Sequence, residues 1–398
     1  MQKRMWSDKQ EEFFLADDKR INLLSGSVRS GKTWISLMKW GLFAGESPSN
    51  YEFLMVGKTL TTLKRNCLGP LQTIFGRNFT YTLTKKEGIL FGHKVFIEGA
   101  DNEQAESKIR GMTLGGAYVD ELTLIPESFY KMLLSRLSLP SAKLYATTNP
   151  DRPDHYVNKD IIENENIERA NWHFVIDDNI FLDPEYVKNI KKEYAGVFYD
   201  RLISGLWVVA EGLVYPMYNP SFHIVPAEPR PYEKYWVSID YGVQNPCVFS
   251  LWGLSKGVYY LVKEYYHKGK KDNNQKTDGE YYEDLEKFIG DLNIQTIIID
   301  PSATSFITLI RRKAKFKVKE ADNDVLDGIS ECATALKNEL VKFNASCESS
   351  LAEFGLYQWD KKVAEDKPVK ESDHFMDSFR YFVKTTKIAQ LKFKRLND

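Results

Sequence analysis

The octapeptide Gly26-Ser27-Val28-Arg29-Ser30-Gly31-Lys32-Thr33 constrains the fold more than any other stretch of this 398-residue chain. It satisfies G-x-x-x-x-G-K-[ST] in full. Its glycines let the backbone curl until successive N–H groups face an anion. A helix that follows then aims the positive end of its dipole at the same point. The flanks agree: Ile21–Leu24 is a short apolar strand and Trp34-Ile35-Ser36-Leu37-Met38-Lys39-Trp40 has helical period. All eight residues are expected to cradle the phosphates of ATP. Lys32 reaches the β- and γ-phosphates, and the Thr33 hydroxyl ligates Mg²⁺.

A phosphate loop needs an acidic strand end beside it. Gly115-Gly116-Ala117-Tyr118-Val119-Asp120-Glu121 is a short apolar strand that ends in two carboxylates. Asp120 is expected to hold the Mg²⁺ shell and Glu121 to orient and activate the attacking water. A third strand runs into Thr147-Thr148-Asn149-Pro150, where polar side chains can sense the γ-phosphate or simply form a turn. Arg29, Arg110 and Arg136 are candidates for an arginine that stabilises transition-state charge.

Around these motifs the first half alternates strands and helices: Ile21–Leu24, Glu52–Val56, Lys94–Glu98, Gly116–Val119 and Lys143–Thr147 are the strand candidates. The fold class expected is α/β, a P-loop ATPase domain with a mostly parallel sheet. Glu185–Trp207 is aromatic and helical in pattern, and Gly/Pro/Asn punctuation follows it. The second half restarts with Tyr235–Ile239, Cys247–Leu254 and Val258–Tyr266, then a helix at Glu280–Leu292 and a strand at Thr296–Ile299, which suggests a mixed sheet. The division expected is 1–170 motor, 171–232 lid or linker, and 233–398 second domain.

The second half carries its own acids. Asp240 and Asp300 each end an apolar strand. Asp373, His374 and Asp377 lie in Asp373-His374-Phe375-Met376-Asp377-Ser378-Phe379-Arg380-Tyr381-Phe382, where His374 and Asp377 share a helical face. Two strand-end carboxylates plus a helical one suit a pair of hard divalent ions, Mg²⁺ or Mn²⁺, which cleave phosphodiesters by activating water and stabilising the leaving oxygen.

Taken in order, GSVRSGKT, AYVDE, ATTNP, SIDYG, IIIDPSA and DHFMDSFRY resemble the large terminase subunit of tailed bacteriophages. Within that family the chain is most similar to the shorter terminases of phages and prophages of Gram-positive bacteria. The resemblance implies an ATPase motor followed by a ribonuclease H-like nuclease. The motor drives double-stranded DNA through a portal protein into a procapsid, and the nuclease cuts concatemeric DNA. It implies a ring of subunits on the portal, a small terminase subunit as partner, and work in the host cytoplasm outside the mature virion. It also assigns residues. Lys32, Thr33, Asp120 and Glu121 match the nucleotide motifs, and Thr147-Thr148-Asn149 matches the coupling motif. Gln10 resembles the upstream adenine-reading glutamine. Asp240, Asp300 and Asp377 match the nuclease metal ligands, with His374 beside them and Asp373 as a supplement or replacement. The alternative reading is a helicase-like translocase without an active nuclease.

Charge and cysteines fit this reading. Lys+Arg is 54 and Asp+Glu is 55, so neither a globally basic nucleic-acid coat nor an acidic tail is present. Bases cluster instead at Arg311–Lys319, Lys268–Lys271 and Lys392–Arg395, and Lys315–Lys319 alternates like a strand with one basic face. No apolar run approaches a membrane span, and four scattered cysteines suggest reduced thiols in a cytoplasmic protein.

Overall fold

The computed structural model describes residues 5–242, 246–268, 275–361, 363 and 365–389. The basic positions 269–271 and 392–395 lie outside the described residues. The chain divides into two compact units. One runs through Val187 and takes in Tyr199–Val209; the other takes Lys188–Phe198 and continues from Ala210.

The first unit holds β1 (Ile21–Gly26), β2 (Phe53–Gly57), β3 (Phe79–Thr82), β4 (Glu87–Leu90), β5 (His93–Gly99), β6 (Gly116–Val119), β7 (Lys143–Thr148) and β8 (Arg169–Phe174). Their order is β3-β4-β5-β2-β6-β7-β1-β8. From β5 to β8 every pairing is parallel, while β3 and β4 add an antiparallel edge. β1 and β2 are buried at every position, as strands covered on both faces must be. Sequence periodicity missed β3, β4 and β8. All three are edge-side strands with half-exposed, mixed composition, so no apolar run marks them.

The second unit holds β9 (Ile224–Val225), β10 (Lys234–Asp240), β11 (Cys247–Ser255), β12 (Val258–His267), β13 (Ile294–Ile299), β14 (Val318–Glu320) and β15 (Val341–Asn344), in the order β14-β13-β10-β11-β12-β15-β9. β10, β11 and β12 form an antiparallel meander, and β13 joins β10 in parallel, which makes the sheet mixed. Apolar clusters cover both faces; one is built on Trp252, Phe375, Phe379 and Phe382, the other on Phe249, Tyr281, Phe306 and Ile310.

Two expectations are corrected. Glu185–Trp207 is not one helix but two, Pro184–Glu193 and Gly196–Leu202, broken where Gly196 takes φ of +56°. The basic strand begins at Val318, not Lys315. Lys315 instead extends to Glu286 at 3.1 Å, and sheet pairing starts only when the Lys317 carbonyl accepts from the Ile297 N–H.

Candidate functional site

The phosphate loop leaves β1 at Gly26, whose φ is +141° and where a Cβ would stand 1.8 Å from the Phe174 carbonyl oxygen of β8. Only glycine fits. Gly31 closes the loop at φ +84°, and the helix Lys32–Glu46 begins there. Between them Arg29 is held at φ +58°, a strained conformation for a residue with a Cβ, and its side chain is exposed. Ser30 donates to the Ser27 carbonyl at 3.0 Å, and the Val28 N–H donates to the Leu202 carbonyl. Thr33, in the first turn of the helix, is half-buried. Gln10 lies on this loop: it caps its own helix, Asp8–Leu15, and its amide nitrogen donates to the Gly31 carbonyl at 3.3 Å.

Strand order brings the other motifs to the loop. β7 lies between β1 and β6, with Leu24 in register with Thr147 and Val119 with Ala146. The three strands therefore end side by side. Lys32 donates to Asn149 Oδ1 at 2.7 Å, and Asn149 Nδ2 donates to both Glu121 oxygens at 3.2 and 3.0 Å. Thr147 donates to Asp120 Oδ1 at 3.2 Å, whereas Thr148 turns to Thr123. Glu121 sits at φ +53°, a second strained position, so its direction is set by the backbone. Burial pushes the Asp120 and Glu121 carboxyls up and the Lys32 ammonium down; the mutual attraction of Lys32 and the two carboxylates opposes this.

Asn66, which carried no signal in the sequence, donates to Asp120 Oδ2 at 3.0 Å. Of the candidate arginines, Arg110 pairs with Glu106. Arg136 lies away from the loop within its own chain: its carbonyl accepts from the Leu114 N–H ahead of β6, at the opposite end of that strand from Asp120.

In the second unit Ile239 and Ile299 are in register, so Asp240 and Asp300 end parallel neighbours at the same level. The helix His374–Thr386 brings the remaining donors. His374 Nδ1 is 2.9 Å from Asp240 Oδ2, Tyr381 donates to Asp300 Oδ2 at 2.6 Å, and Arg380 donates to Asp377 Oδ1 at 2.8 Å. Arg380 is buried and also donates to the Asn323 and Asp324 carbonyls. The helix is locked to the sheet by hydroxyls with no exposure: Ser378 contacts Ser238 at 2.8 Å and Ser250 at 2.9 Å, and Trp252 Nε1 donates to Ser238.

The two strand-end acids are tuned apart. Burial, reinforced by Asp377 and Asp373, pushes Asp240 up to about 6 despite its bond to His374. Burial acts on Asp300 too, but hydrogen bonds from Ser302 and Tyr381 outweigh it and hold Asp300 low. Burial disfavours charge on His374, yet Asp240 more than compensates and raises it. Asp373 is raised by burial and by Asp377. Among the described residues no three His, Cys, Asp or Glu side chains already stand together as a metal cage. The chemistry still fits a hard cation: the donors are nearly all carboxylate oxygens, and mutual repulsion is felt at Asp240, which a cation would relieve.

A family model described as terminase large subunit, T4likevirus-type, N-terminal, matches residues 23–219, and a terminase RNaseH-like domain model matches residues 238–385. The large terminase of a thermophilic bacteriophage is 41% identical over 96% of this chain and 99% of its own, with a TM-score of 0.82. The chain belongs to the terminase large subunit family. Two further structures of that thermophilic phage's terminase, one with ADP and one with ATP-gamma-S, match at TM-scores of 0.80 and 0.78, with 40% and 41% identity; they cover 96% and 95% of this chain and 99% and 98% of theirs. No curated protein matches. This large terminase thus joins a terminase ATPase domain to a ribonuclease H-like domain, as the motif order implied. Among its described residues no helix is long and apolar enough to cross a membrane.

Proposed function

We propose that this terminase packages double-stranded viral DNA, with ATP hydrolysed at the Gly26–Thr33 loop and DNA cut at the Asp240 cluster. The observation that supports it most is the linked chain Lys32–Asn149–Glu121, which ties the phosphate-reaching lysine to the water-activating carboxylate through the coupling segment.

In the motor, this reading assigns the phosphates to the loop N–H groups and Lys32, and the adenine edge to Gln10, whose amide sits on the Gly31 carbonyl. Glu121 orients the attacking water and accepts its proton, while Thr33 and Asp120 would hold Mg²⁺, which would offset phosphate charge. Asn149 touches both Lys32 and Glu121, so a change at the γ-phosphate reaches β7 through one side chain. Arg29, exposed in the loop, is the arginine this reading assigns to transition-state charge. In the nuclease, Asp240, Asp300 and Asp377 would hold Mg²⁺ or Mn²⁺, with His374 and Asp373 beside them. Ions bound there would activate water and stabilise the leaving oxygen. Tyr381 and Arg380 orient two of the carboxylates. DNA is gripped by its phosphates without base readout, as moving a whole genome demands. The partners proposed are the portal protein, a small terminase subunit and further copies in a ring, in the host cytoplasm on the procapsid.

The test is a pair of substitutions. Lys32→Ala abolishes ATP hydrolysis and leaves Mn²⁺-dependent plasmid cutting; Asp240→Ala does the reverse. Cutting that survives both changes would sink the nuclease assignment.

A further inference from the structure

The helix that carries His374 and Asp377 is capped from outside. Its own N-cap residue, Asp373, makes no side-chain cap bond. Aspartate in that position ordinarily turns its carboxylate onto the free N–H groups of the first turn. Here those groups are taken. The Phe375 and Met376 N–H groups donate to Glu353 Oε2 at 2.8 and 3.2 Å, and Tyr266 donates to Oε1 at 2.8 Å. Glu353 ends a separate helix, Glu348–Glu353, and is only 3% exposed. A carboxyl group so enclosed keeps one geometry; burial pushes it up to about 7, and the bonds from Tyr266 and the helix N–H groups only partly oppose this.

Resting on the nuclease reading above, we propose that Glu353 is a positioning residue for the metal site: it caps the helix in place of Asp373 and so leaves the Asp373 carboxylate available beside Asp240 and Asp377. Without Glu353, the N-cap residue Asp373 is placed in sequence to accept from the freed N–H groups. Capping would then draw that carboxylate away from the site.

The test measures Mn²⁺ binding to the full chain, without nucleotide, from the paramagnetic resonance signal of free Mn²⁺. Asp240→Ala supplies the blank for any other site. Glu353→Ala is expected to weaken the Asp240-dependent binding about tenfold. Asp373→Asn should weaken it similarly in the native background and less than about twofold on top of Glu353→Ala, because the two changes remove the same donor. Glu353→Gln restores binding to within about threefold, since its amide oxygen accepts from the N–H groups and its nitrogen donates to Tyr266. ATP hydrolysis and the thermal melt report folding; if Glu353→Ala fails to fold, Glu353→Asp, too short to reach both N–H groups, carries the same expectation. A folded Glu353→Ala or Glu353→Asp chain that binds Mn²⁺ as tightly as the native chain overturns the proposal. Identical binding by the native chain and Asp240→Ala overturns the nuclease reading, and this proposal with it.

Discussion

The two acidic centres are assembled in opposite ways. In the motor the functional groups hang from loops at the ends of three adjacent parallel strands, and two of them, Arg29 and Glu121, are aimed by strained backbone. The charged groups also contact one another through a single residue, Asn149. In the nuclease the carboxylates come from two strands and from a helix whose His374 lies 134 residues along the chain from Asp240. Each is held by its own donor: His374, Tyr381 or Arg380. One centre is preorganised by local chain geometry, the other by long-range packing. A substitution in the motor should therefore change chemistry before stability, while one in the nuclease should change both.

The sharpest way to break this contrast is to remove the key carboxylate from each centre. Glu121→Gln lowers ATP hydrolysis by about 10³-fold and leaves the melting temperature unchanged. Asp240→Asn lowers Mn²⁺-dependent cutting by a similar factor, about 10³, and leaves ATP hydrolysis intact. Next in size, Asn149→Ala lowers kcat by about 10²-fold without unfolding the motor, because it cuts the link between Lys32 and Glu121. Arg380→Ala tests the other half. It strands Asp377 and two backbone carbonyls, so denaturant unfolding should show the second unit weakened by about 3 kcal/mol.

The pH dependence is smaller but has a definite sign. Asp240 titrates near 6 in the folded chain, above its unfolded value of 3.8. A carboxyl so raised holds its proton better when folded, so its contribution to stability falls as pH rises between those values. Metal-free Asp240→Asn should therefore melt higher than the native chain at a pH of about 7.5, and the gap should close as pH falls towards about 4. An equal gap at both ends would place the cause elsewhere. The mildest change is Asn66→Ala, which frees one oxygen of Asp120; about a fivefold rise in the Mg²⁺ needed for half-maximal hydrolysis is expected from titrating the ion.

The same contrast explains what could be read from the chain beforehand. The motor was legible because its code is local: eight consecutive residues force strand, loop and helix, and apolar strands end at their acids. The nuclease acids were legible for a similar reason, as Asp240 and Asp300 each close an apolar run. Their orienting partners were not. Glu353 and Arg380 look like surface charges in sequence, and only tertiary packing buries them. Gln10, read from the residues alone, is a surface helix residue; the family resemblance singled it out as a candidate, and the structure sets its amide on the Gly31 carbonyl. The strands β3, β4 and β8 lack the apolar runs that announced the other strands of the first unit, and the short β9 and β15 went equally unread.

The buried hydroxyls of Ser238, Ser250 and Ser378 have one more consequence. Asp377 immediately precedes Ser378, and Asp240 follows Ser238 by two positions on the same strand. Sliding the helix by one turn would take Ser378 away from Ser238 and Ser250 and strip the Ser378 and Ser250 hydroxyls of these bonds in an apolar core, at about 1–3 kcal/mol apiece, while the Trp252–Ser238 bond, internal to the sheet, would stay. The serines thus act as a vernier for the carboxylates. The helix has one docking position, and that position fixes the level of Asp377 against Asp240.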